Sequence, residues 1–526
     1  MKFNQLSNNK DQTVNHMGAL AFRMESEIEL YSAVVTFMVD DSYYESGEER
    51  LKRIKKLIIE CDPEFVCKLA VYARTYMNLR SVPILLTVEL AKITNGNDLI
   101  RKTIASIVRR ADEIKEVLAY YQIANKRKQT KKLNQLSKQI QKGLAEAFNS
   151  FDEYQFAKYN SKSEVSLRDA LFLVHPQPKD KNQQEIFNRI ATNTLKIPYT
   201  WETEMSELGK KNFSSEIEKK NAVAKKWEEL VESGSLGYMA ILRNIRNILV
   251  KGTDRSLDTA IQILTDRERI HKSKQMPFRY LSAFIEIDKL SQEDQIFEKI
   301  KEKTVRVRNA LEIALLIACE NIPYQEGKTA ILSDNSGSMY GDYAGKSLVS
   351  AMSSRKTADI ANLFAVLYWE KCRDTYVGLF GDHLVNAKLS RNENVFENFK
   401  RIDEAAKECG PGTERGIFAY MEEIIKEKII IDRMIIFSDC QIGDGCNWFD
   451  DKGNTGKNFN SLFKKYLKIN PEVKVYTIDL KGYGNSMTKS SKNMVYISGW
   501  SERIFDMIYF IEQGSTIVEE IMKIKL

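Results

Sequence analysis

Between residue 17 and about residue 320, apolar positions recur at three- and four-residue spacing, the period of a helix with one buried face. SEIELYSAVVTFMV, EERLKRIKKLIIECD, EFVCKLAVYARTYM and PILLTVELAKIT each hold the pattern for three or four turns before a short break. It resumes in DLIRKTIASIVRRADEIKEVLAYYQIA, VSLRDALFLV, GYMAILRNIRNILV, SLDTAIQILTD and RYLSAFIEIDKL. Many short amphipathic helices in succession predict a HEAT-like stack of helical pairs, each burying its face against its neighbours. No crisp repeat motif marks the pairs, so an irregular helical bundle fits the same pattern.

From Gly327 the period changes. KTAILSDNSGSM is a short apolar run ending in small polar residues, and a long helix is expected over roughly 347–371. TYVGLF, a helix near 395–409, the helix ERGIFAYMEEIIKEK and the strand RMIIFSD follow. Helix NSLFKKYLKI, strands VKVYTIDL and MVYISG, and a closing helix from about Ser501 complete the series. Strands alternating with helices predict an α/β doubly wound sheet, mostly parallel, and apolar runs such as MIIF suit strands buried on both faces. The expected fold class is therefore multidomain: residues 1–16 a flexible N-terminus, 17–326 an all-α array, and 327–526 an α/β domain.

The chain's 526 residues exceed what one hydrophobic core supports, in keeping with that division. A composition 43% hydrophobic and 29% charged, with 9 prolines, reads as folded and soluble. No apolar run approaches the roughly 20 residues that span a bilayer, and the N-terminus lacks the apolar segment of a secretion signal. The 7 cysteines are scattered without zinc-like pairing, which points to reduced thiols and a cytoplasmic location. Abundant lysine, asparagine and isoleucine fit an AT-rich bacterial or phage genome.

Charge separates the halves further. Residues 1–326 hold 52 Lys and Arg against 45 Asp and Glu, while residues 327–526 hold 27 of each. Between Arg101 and Lys142, 12 basic residues face only Asp112, Glu113 and Glu116. Such a patch attracts polyphosphates through counterion release, although a solvated helix face has the same composition.

Three predicted strand ends carry oxygen-bearing side chains in a distinctive order. Asp334-Asn335-Ser336-Gly337-Ser338 is a D-x-S-x-S sequence, Thr413 stands in a glycine-rich loop that opens a helix, and Asp439 ends RMIIF. Three hydroxyls and two carboxylates are hard donors of low net charge, suited to Mg²⁺ or another divalent cation that keeps an open position. Serines capping helices after each strand are the plainer alternative. The ordered set resembles the metal-ion-dependent adhesion site of von Willebrand A domains. That resemblance implies that Ser336, Ser338 and Thr413 touch the metal, with Asp334 and Asp439 beside it or reaching it through water.

In the helical half, DPEFVCKLAVYAR, LRSVP, LGYMAILRNIRNIL and PFRYLSAF resemble segments of the TROVE module of Ro autoantigen proteins and telomerase-associated proteins. Together with TYVGLFGD, GPGTE, RMIIFSDCQIGDG and SGWSERIFDMI, the resemblance spans roughly residues 17–520 in Ro domain order. It implies a closed ring of HEAT-like helices followed by a von Willebrand A domain. It also implies binding of small noncoding Y-like RNAs on a basic outer surface, and of single-stranded ends of misfolded RNAs. The phosphate-contacting stretch corresponds to Lys158 and Lys162, then Arg168 and His175. Lys162 stands where an arginine is common, and a lysine cannot make the bidentate fork to phosphate. Helical spacing would put Lys158 and Lys162 on one face.

The leading expectation is a noncatalytic, monomeric RNA-binding protein acting in RNA quality control or as a scaffold for an exoribonuclease. A protein–protein adaptor whose metal grips an acidic partner residue is the alternative. A metal-dependent nuclease or phosphatase would need more carboxylates and a base than this site offers.

Overall fold

The computed structural model describes residues 11–37, 42–125, 136–160, 163–292, 294–341, 347–349, 355–444 and 458–526. The chain separates into two compact units, residues 58–318 with 520–526, and residues 1–57 with 319–519. No helix among the described residues is long and apolar enough to cross a membrane.

The first unit is all helix, as its period predicts. Asp62 starts the helix Pro63–Thr75 by accepting from the N–H groups of Glu64 and Phe65, and proline at the first position needs no donor. That helix packs against Ser81–Leu90 and Leu99–Ile107. Leu99–Ile107 lies so near Lys138–Phe148 that a Cβ on Gly143 would stand 2.7 Å from the Arg101 carbonyl oxygen. Neighbour-on-neighbour packing continues through Tyr238–Lys251, Asp254–Thr265 and Pro277–Asp288 to Asp294–Ala318.

The second unit holds every strand among the described residues: β1 (Gln12–Val14), β2 (Leu20–Arg23), β3 (Thr329–Asp334), β4 (Thr375–Phe380), β5 (Leu384–Asn386), β6 (Arg433–Ser438), β7 (Lys474–Asp479), β8 (Asn485–Ser486) and β9 (Met494–Ser498). The main sheet runs β5-β4-β3-β6-β7-β9, parallel except for the β5 edge. Strand β3 is buried along its whole length, and Ala330, Leu332, Met434, Ile436 and Val475 join Ile417, Met421 and Ile424 of helix Arg415–Lys426 in one core. Burial on both faces explains the unbroken apolar runs.

Three boundaries differ from the sequence reading. Residues 12–14 and 20–23, expected as a loose terminus and the start of the helical array, form β1 and β2 and pair with β8 in a small antiparallel sheet. Helix Ser26–Val35 belongs with them: the Tyr31 hydroxyl donates to the Ser498 carbonyl at 2.9 Å, and Ser32 to the Asp479 carboxylate at 3.0 Å. Local periodicity cannot reveal partners more than 400 residues away. The helix expected from 347 begins at Thr357, because Leu348 and Lys356 pair as an isolated bridge and the Thr357 N–H donates to the Ser347 carbonyl.

Candidate metal centre and nucleic-acid interface

Parallel pairing of β3 with β6 sets Ser333 opposite Phe437, so the two strands end side by side and deliver Asp334 and Asp439 to one edge. One Asp334 oxygen accepts from the Ser336 N–H at 2.9 Å and the other from the Ser438 hydroxyl at 2.6 Å. The Ser336 and Ser338 hydroxyls lie 3.4 Å apart. Asp439 accepts the Gln441 N–H through one oxygen, at 3.0 Å. Its second oxygen, Oδ2, is buried without a hydrogen-bond partner.

The threonine loop is held to this edge by backbone bonds. Gly337 donates to the Pro411 carbonyl at 2.9 Å, and the Asp382 carboxylate accepts the Gly412 N–H at 3.0 Å. A Cβ on Gly412 would stand 2.2 Å from an Asp382 oxygen, and Gly410 has φ +76°, so both positions call for glycine. Asp382 thus ties the turn after β4 to the threonine loop. Thr413 is buried on this loop, but its hydroxyl is committed to the Glu414 carboxylate at 2.9 Å and to the Gly443 N–H at 3.0 Å. Asp334, Ser336, Ser338 and Asp439 form the tight group; Thr413 flanks it with its oxygen otherwise engaged.

Burial drives the carboxyls of both Asp334 and Asp439 well above the usual range, and the charge of Asp439 pushes Asp334 further. Two sealed carboxylates with one orphaned oxygen fit a bound cation, which would supply the missing partner. Among the described residues no three His, Cys, Asp or Glu side chains gather at one point, so any cation here depends on the hydroxyls. Sequence reasoning missed three neighbours. Lys481, almost fully buried, is pushed down to about 8 by burial while Asp439 pulls the other way. The Asn15 side chain donates to the Ile442 carbonyl at 2.8 Å, and the His16 N–H to Gln441 at 2.9 Å, docking the N-terminal turn on the loop after Asp439. No local signal announces any of them.

In the helical unit, Lys158 ends the helix Glu153–Lys158, whose start Asp152 caps by accepting the Gln155 N–H. The helix stops there, with Tyr159 at its cap and Asn160 beyond; Lys162, expected on one face with Lys158, lies outside the described residues. Asparagine and serine bond locally to backbone and weaken helix continuation at this point. Lys158 is exposed, its ammonium 5.7 Å from the ring centres of both Tyr154 and Tyr159. Arg168 is exposed in the first turn of helix Leu167–Val174, its guanidinium 5.8 Å from the exposed Phe172 ring. Among the described residues neither cation has a carboxylate partner.

Other basic side chains in this unit differ. Arg74 pairs with Glu113, Arg80 with Asp112, Glu113 and Glu116, Arg101 with Asp98 and Glu146, and Arg110 with Asp112. Within the dense basic run, Arg101 and Arg110 are thus paired with carboxylates; residues 126–135 of it lie outside the described residues. His175 caps the far end of the same helix in the left-handed conformation, φ +51°, exposed beside Lys142, Arg101, Asn149 and Gln177. Seven residues of helical rise set Arg168 and His175 about 10 Å apart along the axis. Lys158 borders a separate pocket with Tyr154, Tyr199 and Trp201. Of the aromatic pair next to the basic run, Tyr121 is buried and Tyr120 donates to Glu89 at 2.8 Å.

The fold resembles the crystal structure of the Ro protein from Deinococcus radiodurans, with a TM-score of 0.56 over 91% of this chain and 99% of that one at 12% identity. Telomerase protein component 1 of Mus musculus is 27% identical over 296 residues, 44% of this chain, and its Rattus norvegicus counterpart 25% over 327 residues, 48% of this chain. Those segments span only 11% and 12% of the telomerase components. The TROVE domain matches residues 9–226 and 191–336, more than half of the sequence. It takes in both the helical array and the strands that precede it, and on that match the chain belongs to the TROVE domain family.

Proposed function

We propose that this chain is a noncatalytic RNA-binding protein whose helical unit holds phosphates through Lys158, Lys162, Arg168 and His175. The observation that carries the reading is the pair of exposed cations, Lys158 and Arg168, set against aromatic rings in a unit where Arg74, Arg80, Arg101 and Arg110 are paired with carboxylates. A cation left without a counter-ion and a neighbouring ring together suit a phosphate and its base. The RNA is a small noncoding species of the Y-like kind or the single-stranded end of a misfolded RNA, bound by a cytoplasmic monomer in RNA quality control or as a scaffold for an exoribonuclease.

In the α/β unit, Asp334, Ser336, Ser338 and Asp439 would hold Mg²⁺ or a similar ion, with Thr413 joining if its hydroxyl leaves Glu414. The ion supplies an open coordination position for an oxygen of a partner. A second reading, an adaptor that grips an acidic partner residue there, is favoured by the orphaned Asp439 oxygen.

Sequencing the nucleic acid retained by the purified chain, against a Lys158→Ala/Lys162→Ala control, tests the first reading. Discrete small structured RNAs in the wild type, depleted in the control, are expected. The double variant should bind RNA more weakly, with a salt slope reduced by roughly 1 to 2, since each phosphate contact contributes about 0.7 to 0.9. Absence of specific RNA from the wild type would leave the adaptor reading in its place.

A further inference from the structure

Beside Lys158 lies a small open pocket whose walls come from four places in the sequence. Tyr154 and Lys158 lie on one helix, and Tyr199, Thr200 and Trp201 on the segment that enters helix Trp201–Gly209. Gly237, at the start of helix Tyr238–Lys251, closes another side. Tyr154 is 41% exposed and Tyr199 38%, large apolar surface for side chains with room to bury it. Trp201 stacks on the buried Trp227 ring at 6.2 Å between centres, which fixes it from behind. Thr200 and Trp201 are held in place by a cap, the Thr200 hydroxyl accepting the Thr203 N–H at 3.2 Å. Gly237 has no side chain to cap its helix, and the N–H of Ala240, which also lines the pocket, donates to the Gly237 carbonyl at 2.8 Å.

Three aromatic rings and one cation, with Glu202 the one carboxylate of the lining, meet the main requirements of a nucleobase and its phosphate: faces to stack on and a charged anchor. An acidic peptide would use the cation but not three aromatic rings. We propose that this pocket receives one unpaired base of a bound RNA, stacked against Tyr199 and Trp201, with the adjoining phosphate on Lys158. The proposal rests on the RNA reading above and deepens it by naming a base-accepting subsite. Sequence alone gave no hint, because Tyr154 and Trp201 are 47 residues apart and the connecting stretch, TLKIPYT, reads as an ordinary loop.

The test uses the full chain and two fluorescent probes, a ten-nucleotide oligouridine and its abasic ribose-phosphate counterpart, titrated across salt concentrations. Wild-type protein should prefer the oligouridine. Tyr199→Ala should lose about tenfold of that preference, a stacking contribution, with an unchanged salt slope because no phosphate contact is removed. Tyr199→Phe keeps the ring and should retain the preference. If wild type and Tyr199→Ala discriminate equally between the probes, or Tyr199→Phe is as impaired as Tyr199→Ala, the subsite is overturned while RNA binding stands. If wild type binds neither probe, the RNA reading itself falls and takes the subsite with it. Because the wild-type comparison of the two probes needs no variant, a preference of less than twofold there overturns the subsite even if a substitution unfolds the chain.

Discussion

Asp334 and Asp439 of the α/β unit are sealed from water, whereas Lys158 and Arg168 of the helical unit stand in it. The carboxylates are placed by strand ends and held by backbone and hydroxyl donors before any ligand arrives. The cations rest on surface rings and remain free to follow a ligand. Burial makes the first site intolerant of its own charge, so it demands a counter-ion and is choosy about which one fits. Exposure makes the second cheap to build, adaptable, and sensitive to salt. On the proposed reading, one site would take a point charge and the other a flexible polyanion.

The sharpest way to break this contrast is Asp334→Ala. Calorimetric titration with Mg²⁺ should show divalent-ion binding lost, while the affinity of the chain for RNA stays within about twofold, the scatter expected of a site that shares no contacts with it. An equal loss of RNA affinity in a well-folded variant would mean that the two sites act as one.

Proton linkage separates them next. Burial lifts the Asp479 carboxyl from an ordinary 3.8 to about 6, and its hydrogen bonds from Lys481, Gly482 and Ser32 only partly offset this. In the unfolded chain the group ionises near 3.8, so between that pH and about 6 the folded state holds the extra proton. Stability therefore falls as pH rises through that window, by about 3 kcal/mol for a shift of this size. The difference in unfolding free energy between wild type and Asp479→Asn, followed by urea titration across the window, should track that loss. A constant difference would remove Asp479 as its source.

The smallest effect sharpens the helical side. Ser166 accepts the Asp169 N–H at 3.0 Å and donates to the Asp169 carboxylate, closing the start of the helix that carries Arg168. Ser166→Ala should cost about 1 kcal/mol of stability. It should weaken RNA binding less than Arg168→Ala does, measured by anisotropy on the same probe. Equal weakening would assign Ser166 a direct contact.

Periodicity made the helical array legible, and alternation of apolar strands with helices made the parallel sheet legible, because both reflect burial within a few turns of chain. The D-x-S-x-S run and the strand-end Asp439 were readable for the same reason: Ser336 and Asp334 bond across two residues. The bond from the Thr413 hydroxyl to its own neighbour Glu414 is a local competition that the motif does not announce. The helix carrying Lys158 is only six residues long and ends at that lysine, a boundary that helical spacing did not mark. Lys481, Asn15 and the Tyr199 pocket were invisible, since each depends on segments that meet only in the folded chain.

The docking of the first helix has a consequence for manufacture. Tyr31 waits on Ser498, 467 residues later. At roughly 5 to 20 residues per second a ribosome needs about 25 to 90 seconds to supply that partner. Throughout this interval Tyr31 and Ser32, both buried in the finished protein, lack the late partners Ser498 and Asp479 that hold them. A chain threaded in this way settles its beginning last, so its yield in the cell depends on whatever shields that nascent helix until the final strands arrive.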